Sequence, residues 1–158
     1  MSKISAGLLC YRRKLDKLEF LLGFPGGPFW SPKIDDPGQW TIPKGEVDPD
    51  ETDLFKTALR EFQEETGLKP KSESFYYLDN VVTNSGKIIY AWAFEQDFNI
   101  DNFICPSRCL IEYPPCTKQI CDIPELEDIK YFEEQEAIRR INTNQLVFIE
   151  KLKKGLEL

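Results

Sequence analysis

The apolar positions of the chain fall into short blocks of two different periods. Ile4 to Arg12 is nearly continuous in apolar residues and predicts a buried strand. Leu18 to Phe24 predicts its partner, with Arg13 to Lys17 as the turn between them. Pro25 to Gly38 holds four prolines and three glycines in fourteen residues, which predicts an irregular loop. Gln39 to Ile42 predicts a short strand before Pro43. Over residues 53–66 the period changes: Phe55, Ala58, Leu59 and Phe62 recur at i, i+3, i+4 and i+7, the spacing of one helical face. Thr52 or Asp50 is placed to cap its start and Gly67 its end.

Period two returns afterwards. Ser74 to Thr83 and Lys87 to Phe98 predict two strands joined at Asn84-Ser85-Gly86. Residues 99–126 are ambiguous, because Pro106, Pro114, Pro115 and Pro124 interrupt any regular element. Asp128 to Phe132 predicts a strand. Glu133 to Asn142 and Asn144 to Lys154 predict amphipathic helices, the last ended by Gly155. Strands, helix, strands and helices in this order imply an α/β (α+β) fold, with helices packed on a sheet. At 158 residues, one domain over 1–158 is expected.

Composition narrows the chemistry. The chain contains no histidine, which excludes Ser–His–Asp and Cys–His catalysis and His-ligated zinc. Acid–base and metal chemistry then fall to carboxylates, Lys, Tyr, Arg and Cys. The 20 basic and 27 acidic residues leave a net charge of −7, which argues against broad binding to duplex nucleic acid or anionic membranes. It leaves small anions accessible, since a cation can bridge carboxylates to a phosphate. No apolar run reaches membrane-spanning length, and Arg12, Arg13 and Lys14 follow the first apolar run, the wrong order for a signal peptide. An intracellular, cytoplasmic protein with free thiols is expected. Four of its five cysteines, Cys105, Cys109, Cys116 and Cys121, lie close together without a Cys-x-x-Cys pair. Small buried thiols are the plain account, a structural zinc site the competing one.

The strongest chemical signal is on the helix of residues 53–66. At 100° per residue, Glu61, Glu64 and Glu65 share one face, set against the apolar stripe. Like charges at i, i+3 and i+4 repel, so such a face is either solvated or binds cations, and hard divalent ions take oxygen ligands.

The surrounding residues decide between the two. Gly45 and Glu51, then Arg60-Glu61-Phe62-Gln63-Glu64-Glu65-Thr66-Gly67-Leu68, resemble the Nudix box, with eight residues instead of seven between Glu51 and Arg60. The pattern places the extra residue in the loop of residues 48–52. Trp40-Thr41-Ile42-Pro43-Lys44-Gly45 ahead of the box and the C-terminal helix are similar to Nudix proteins as well. The resemblance implies a mixed β-sheet sandwiched between α-helices and hydrolysis of a nucleoside diphosphate linked to another group, using Mg2+ or Mn2+. It implies Glu61, Glu64 and Glu65 as metal ligands, Glu61 and Glu64 as catalytic groups, and Arg60 as the arginine that holds a glutamate. It also implies a backbone carbonyl near Lys44–Gly45 as a further ligand.

Outside the box the expectations are Glu95, or Asp97, as a later acidic ligand, and Lys44 and Arg12 as phosphate contacts. Tyr90, Phe29 and Trp30 are expected as aromatic surfaces for a base. The expected partner is a small nucleotide, dinucleoside polyphosphates being the first candidates, with no membrane or duplex nucleic acid. A monomer and a homodimer both fit. The rival function is a nucleotide sensor with little catalysis.

Overall fold

The computed structural model describes residues 3–25, 37–106 and 108–156. Its centre is β1 (Ile4–Lys14), the apolar run read as a first strand. It turns through Leu15 and Asp16, both at positive φ, into β2 (Lys17–Pro25). Two successive left-handed residues are what a tight hairpin loop needs to match strand twist.

β1 is flanked on its other side by β5 (Ile88–Glu95), which runs parallel to it. β4 (Tyr76–Val82) pairs antiparallel with β5 and bulges between Tyr77 and Asn80, where Asp79 takes a positive φ. β8 (Leu126–Glu133) pairs antiparallel with β2 and completes the order β4-β5-β1-β2-β8.

The sixth strand is where the sheet opens. β3 (Lys44–Glu46) pairs with Ser5 to Gly7 of β1, while β2 pairs with Tyr11 to Lys14 of the same strand. One edge of β1 thus serves two partners in succession. Residues 40–43 thread the gap, bonded to Gly23 and Leu8. They form bridges, Gly23 to Thr41 and Trp40 to Ile141, and the strand falls on 44–46, not on 39–42 as the pattern suggested. Pro43 cannot donate to a ladder, which delays regular pairing until it has passed.

Strand alternation gives the sheet two apolar faces. Ala6, Leu8, Cys10, Leu21 and Phe94 pack with Ala58 and Phe62 of α1 (Leu54–Thr66). Leu9, Phe20, Leu22 and Ala91 pack on the opposite face with Ala137 of α2 (Glu134–Arg140) and Phe148, Ile149 and Leu152 of α3 (Leu146–Leu156). This is the mixed sheet between helices expected from the sequence. Each large side chain buried here contributes roughly 1.5–3 kcal/mol. α3 follows a 3-10 turn at Thr143–Gln145 and runs through Gly155 instead of stopping there.

The ambiguous segment is a hairpin. β6 (Arg108–Glu112) and β7 (Ile120–Pro124) form a separate two-stranded sheet, leading directly through Glu125 into β8. Among the described residues, no helix is long and apolar enough to cross a membrane. Phe29 and Trp30, and most of the Pro25–Gly38 loop, lie outside the described residues.

Candidate active site

α1 begins at Asp53, whose carboxylate accepts from the amides of Phe55 and Lys56; it is the cap, rather than Thr52 or Asp50. The helix ends at Gly67, at φ 72°, the left-handed position that glycine occupies without strain. Between the caps, Phe62 stands edge-on to Phe94, ring centroids 5.5 Å apart. That anchor fixes the rotation of the helix about its axis.

Rotation decides which glutamates enter the fold. Glu61 and Glu65 are buried, at 9% and 6% exposure, and lie next to Ala58 and Phe62 on the packed side of the helix. Glu64 is on the outside, its side chain 48% exposed. The three carboxylates therefore do not stand together against the apolar stripe. Two extend that stripe inward, and one faces solvent.

The turn at β3 closes over the buried pair. The Lys44 amide donates to Glu65 Oε2 at 2.9 Å. Gly45 backs directly onto the Glu61 carboxyl, leaving no room for a Cβ. The third carboxylate is Glu125. Ligand oxygens of Glu61, Glu65 and Glu125 lie within 4.8 Å of one another, and among the described residues this is the group of acidic or thiol side chains able to surround an ion.

Sequence reasoning expected a later acidic residue but placed it at Glu95. Glu95 instead sits at the exposed end of β5, 3.6 Å from Arg13. Glu125 was hidden in the proline-rich segment. Its signal was the alternation of Ile120 to Pro124 and Leu126 to Phe132, which marks a strand junction at Glu125.

Arg60 organises the outer side. It grips Glu51 twice, Nη2 to Oε1 at 2.7 Å and Nε to Oε2 at 3.2 Å. Its Nη1 is 3.0 Å from both Glu61 Oε1 and Glu64 Oε2. Glu51 also accepts from the Asp48 amide and from the Thr57 hydroxyl. The extra residue of the box is taken up in this turn, with the Glu51 amide donating to the Asp48 carbonyl at 2.9 Å. Glu51 still reaches Arg60. Arg60 thus joins Glu51 to Glu61 and Glu64.

The electrostatics follow from burial. Glu61 is pushed up to about 7, chiefly by loss of solvent, with Arg60 pulling down and Glu64 and Glu125 pushing up. Burial, then Glu125 and Glu61, hold Glu65 well above the ordinary carboxylate range. Glu51, on Arg60, is pulled down to about 2. Burial pulls the Lys44 ammonium below its usual value and nearby Lys87 adds to this, against the pull of Glu65, Glu46 and Glu61. Crowded, desolvated carboxylates are costly as anions until a cation joins them. An all-oxygen set of three fits a hard divalent ion.

Two of the three carboxylates, Glu65 and Glu125, line a cavity of about 300 Å³ together with Thr41, Ile42, Lys44, Cys109 and Ile123 among others. Lys44 is thus brought to the site. Arg12 is not: it bonds Glu19 at 2.6 Å and Asp97 at 2.8 Å, stacks on Tyr131, and lines a different cavity with Lys14 and Lys130. Two carboxylates already satisfy its guanidinium. Tyr90 lies in one row with Ala6 and Gly45, two strands from the turn, or roughly 10 Å at sheet spacing. Cys10 and Cys105 are buried, Cys109 and Cys121 half-buried, and Cys116 exposed near the hairpin tip.

A mixed sheet carrying a carboxylate helix against a cleft with a lysine suits metal-assisted hydrolysis of phosphate anhydrides. The model of the NUDIX domain matches residues 29–152. The chain belongs to the Nudix family and is a Nudix pyrophosphohydrolase. It is 36% identical to the asymmetrical bis(5'-nucleosyl)-tetraphosphatase of Mus musculus over 113 residues, 64% of this chain and 71% of that protein. Its fold is similar to that of an Ap4A hydrolase of C. elegans solved as a binary complex, with a TM-score of 0.64 at 24% identity over 98% and 97% of the two chains. It is similar too to the NUDIX domain of Shewanella oneidensis NrtR solved with ADP ribose, with a TM-score of 0.69 at 16% identity over 99% and 89%.

Proposed function

We propose that this protein hydrolyses nucleoside polyphosphates in a reaction dependent on Mg2+ or Mn2+, with dinucleoside tetraphosphates as the leading candidates. The carrying observation is the convergence of Glu61, Glu65 and Glu125 beneath the Lys44–Gly45 turn, with Glu65 and Glu125 lining a cavity beside Lys44. The relation to the mouse tetraphosphatase supports the choice of substrate.

In this reading Glu61, Glu65 and Glu125 hold the ion, with the backbone at Lys44–Gly45 as an additional oxygen source. When bound, the ion supplies charge neutralisation on the phosphoryl oxygens and acidifies water. Glu64, half-exposed and steered by Arg60, takes the proton from the attacking water. Lys44 offsets phosphate charge from the cavity wall.

The test is phosphate release, through coupled phosphatase or pyrophosphatase, from a panel of dinucleoside polyphosphates, nucleoside triphosphates, oxidised nucleotides and nucleotide sugars. Each is run with Mg2+, Mn2+ or chelator, for the wild type and for Glu64→Gln and Glu125→Gln. The expected result is metal-dependent turnover, greatest on dinucleoside tetraphosphates and reduced at least a hundredfold in both variants. Binding without turnover across the panel overturns the enzyme reading and favours a sensor.

A further inference from the structure

The β6–β7 hairpin belongs to neither apolar face of the main sheet. In its register Cys109 pairs with Ile123, and Ile111 with Cys121. Strand alternation puts these four on one side, and all four are half-buried. The other side is outward: Leu110 is 71% exposed, and Arg108 bonds Asp122 at 3.0 Å. The inward pair Cys109 and Ile123 borders the same cavity as Lys44, Glu65 and Glu125. Because Pro124 runs straight into Glu125, this apolar wall and the third carboxylate belong to one continuous segment.

The cavity therefore has two chemically different walls. One bears carboxylates and a lysine, where phosphates and a cation belong. The other is aliphatic and sulfur-bearing. Burial, reinforced by Glu125, pushes the Cys109 thiol up, and a cysteine side chain packs as a small apolar group. A volume of about 300 Å³ is at the small end of ligand pockets, roughly 300–1,000 Å³.

We propose that the inward face of β6–β7, at Cys109 and Ile123, is the subsite for the planar base of the nucleotide, whose phosphates extend towards Lys44, Glu65 and Glu125. The proposal rests on the reading of this cleft as a nucleotide site and assigns the end of it that the carboxylates do not. Aliphatic contact grips the flat face of a base without reading its donors and acceptors.

The first experiment follows alkylation of each thiol by iodoacetamide, using mass spectrometry on the full chain with Mg2+. The ligands are adenosine 5'-(α,β-methylene)triphosphate and, as a base-free control, inorganic tripolyphosphate, each at a concentration that saturates thermal stabilisation. The nucleotide is expected to slow labelling of Cys109 at least tenfold and leave exposed Cys116 unchanged. Tripolyphosphate is expected to leave Cys109 reactive. Equal protection by both ligands, or none by the nucleotide, overturns the subsite.

The second experiment compares Cys109→Trp with Cys116→Trp, the latter at an exposed position outside the cavity. The Cys109 variant is expected to raise the nucleotide KM about tenfold with kcat within threefold, and the Cys116 variant to stay within threefold in both. A fall in kcat alone marks a structural disturbance and overturns the proposal. Failure of the two readings is distinguishable. If nucleotides turn over but Cys109 remains unprotected, only the base subsite is wrong. If no nucleotide stabilises the protein, the functional reading falls with it.

Discussion

At Gly45 a single hydrogen atom decides the site. β3 lies so close to α1 that a methyl group there would collide with the Glu61 carboxyl. Glu61 cannot retreat, because Arg60 holds its Oε1 at 3.0 Å and Phe62 beside it is fixed in the core. Gly45→Ala is therefore expected to displace the carboxylate by about 1 Å and lower kcat/KM about a hundredfold. The fold should persist, as a far-UV spectrum unchanged from wild type will show; activity within threefold of wild type sinks the argument. Glu51 works at one remove. It spreads the Arg60 guanidinium through two hydrogen bonds and never joins the carboxylate group. Glu51→Gln keeps one acceptor and loses the charge, and partners that orient ligands usually account for 10–100-fold in metal affinity or activity. A loss of roughly tenfold is expected, read in Mn2+ affinity by titration and in kcat. The same pairing has a pH sign. Its folded value lies below that of a free carboxyl, so its stabilisation is present above about 4.5 and fades as pH falls towards about 2.

Among the elements, α1 was the most legible in the sequence and also the most instructive in its differences. Its apolar spacing placed Ala58 and Phe62 against the sheet, and Gly67 at its end, as found. The helical wheel grouped three glutamates, but at 100° per residue Glu65 falls about 20° and Glu61 about 60° from Ala58, with Glu64 about 120° away. The angles alone thus set Glu61 and Glu65 at the border of the apolar stripe, and packing of Phe62 on Phe94 and Phe98 carries them inward and leaves Glu64 outward. The cap illustrates a local ambiguity of the same kind. Asp50, Thr52 and Asp53 all carry a capping oxygen, and the turn that absorbs the extra residue selects Asp53. Asp53→Ala is expected to cost about 1 kcal/mol in urea unfolding. Asp50→Ala should stay within about 0.5 kcal/mol, in keeping with substitutions remote from any cap or core; the reverse order would show that the cap has been misplaced. Least legible was the β6–β7 hairpin with Glu125 behind it. Prolines and cysteines interrupt the alternation, and half-burial on one side gives no strong apolar run. The later acidic residue was thus expected at Glu95, which ends a clear strand, when the fold brings in Glu125 from an obscure one.

For the whole molecule, the active site sets a limit on stability that the core must bear. The protein encloses Glu61 and Glu65 beside Glu125, although three neighbouring carboxylates with little solvent oppose folding as anions. Without metal, Glu61 binds its proton more tightly in the folded chain, near 7, than in the unfolded chain, near 4.5. A raised value of this kind stabilises the fold below about 4.5, and that contribution is lost as pH rises through about 7. After allowing for the solvent that enters the cleft, the loss is on the order of 2 kcal/mol. On the proposed function a divalent cation is expected to reverse the slope, competing with those protons for the deprotonated cluster. At a hundredfold excess over its dissociation constant it contributes about 2.7 kcal/mol. For a chain of this size that corresponds to a rise in Tm of roughly 5–10 °C. Saturating Mn2+ is accordingly expected to raise Tm by this amount at pH 8 and by less than half as much at pH 5, measured by scanning calorimetry with a chelator reference. In metal-free Glu61→Gln, the decline in stability between pH 4.5 and 7 should become shallower, the remainder coming from Glu65, which is also held above the ordinary carboxylate range. A shift in Tm of equal size at both pH values would show that the ion binds elsewhere and that the buried carboxylates are not what it neutralises.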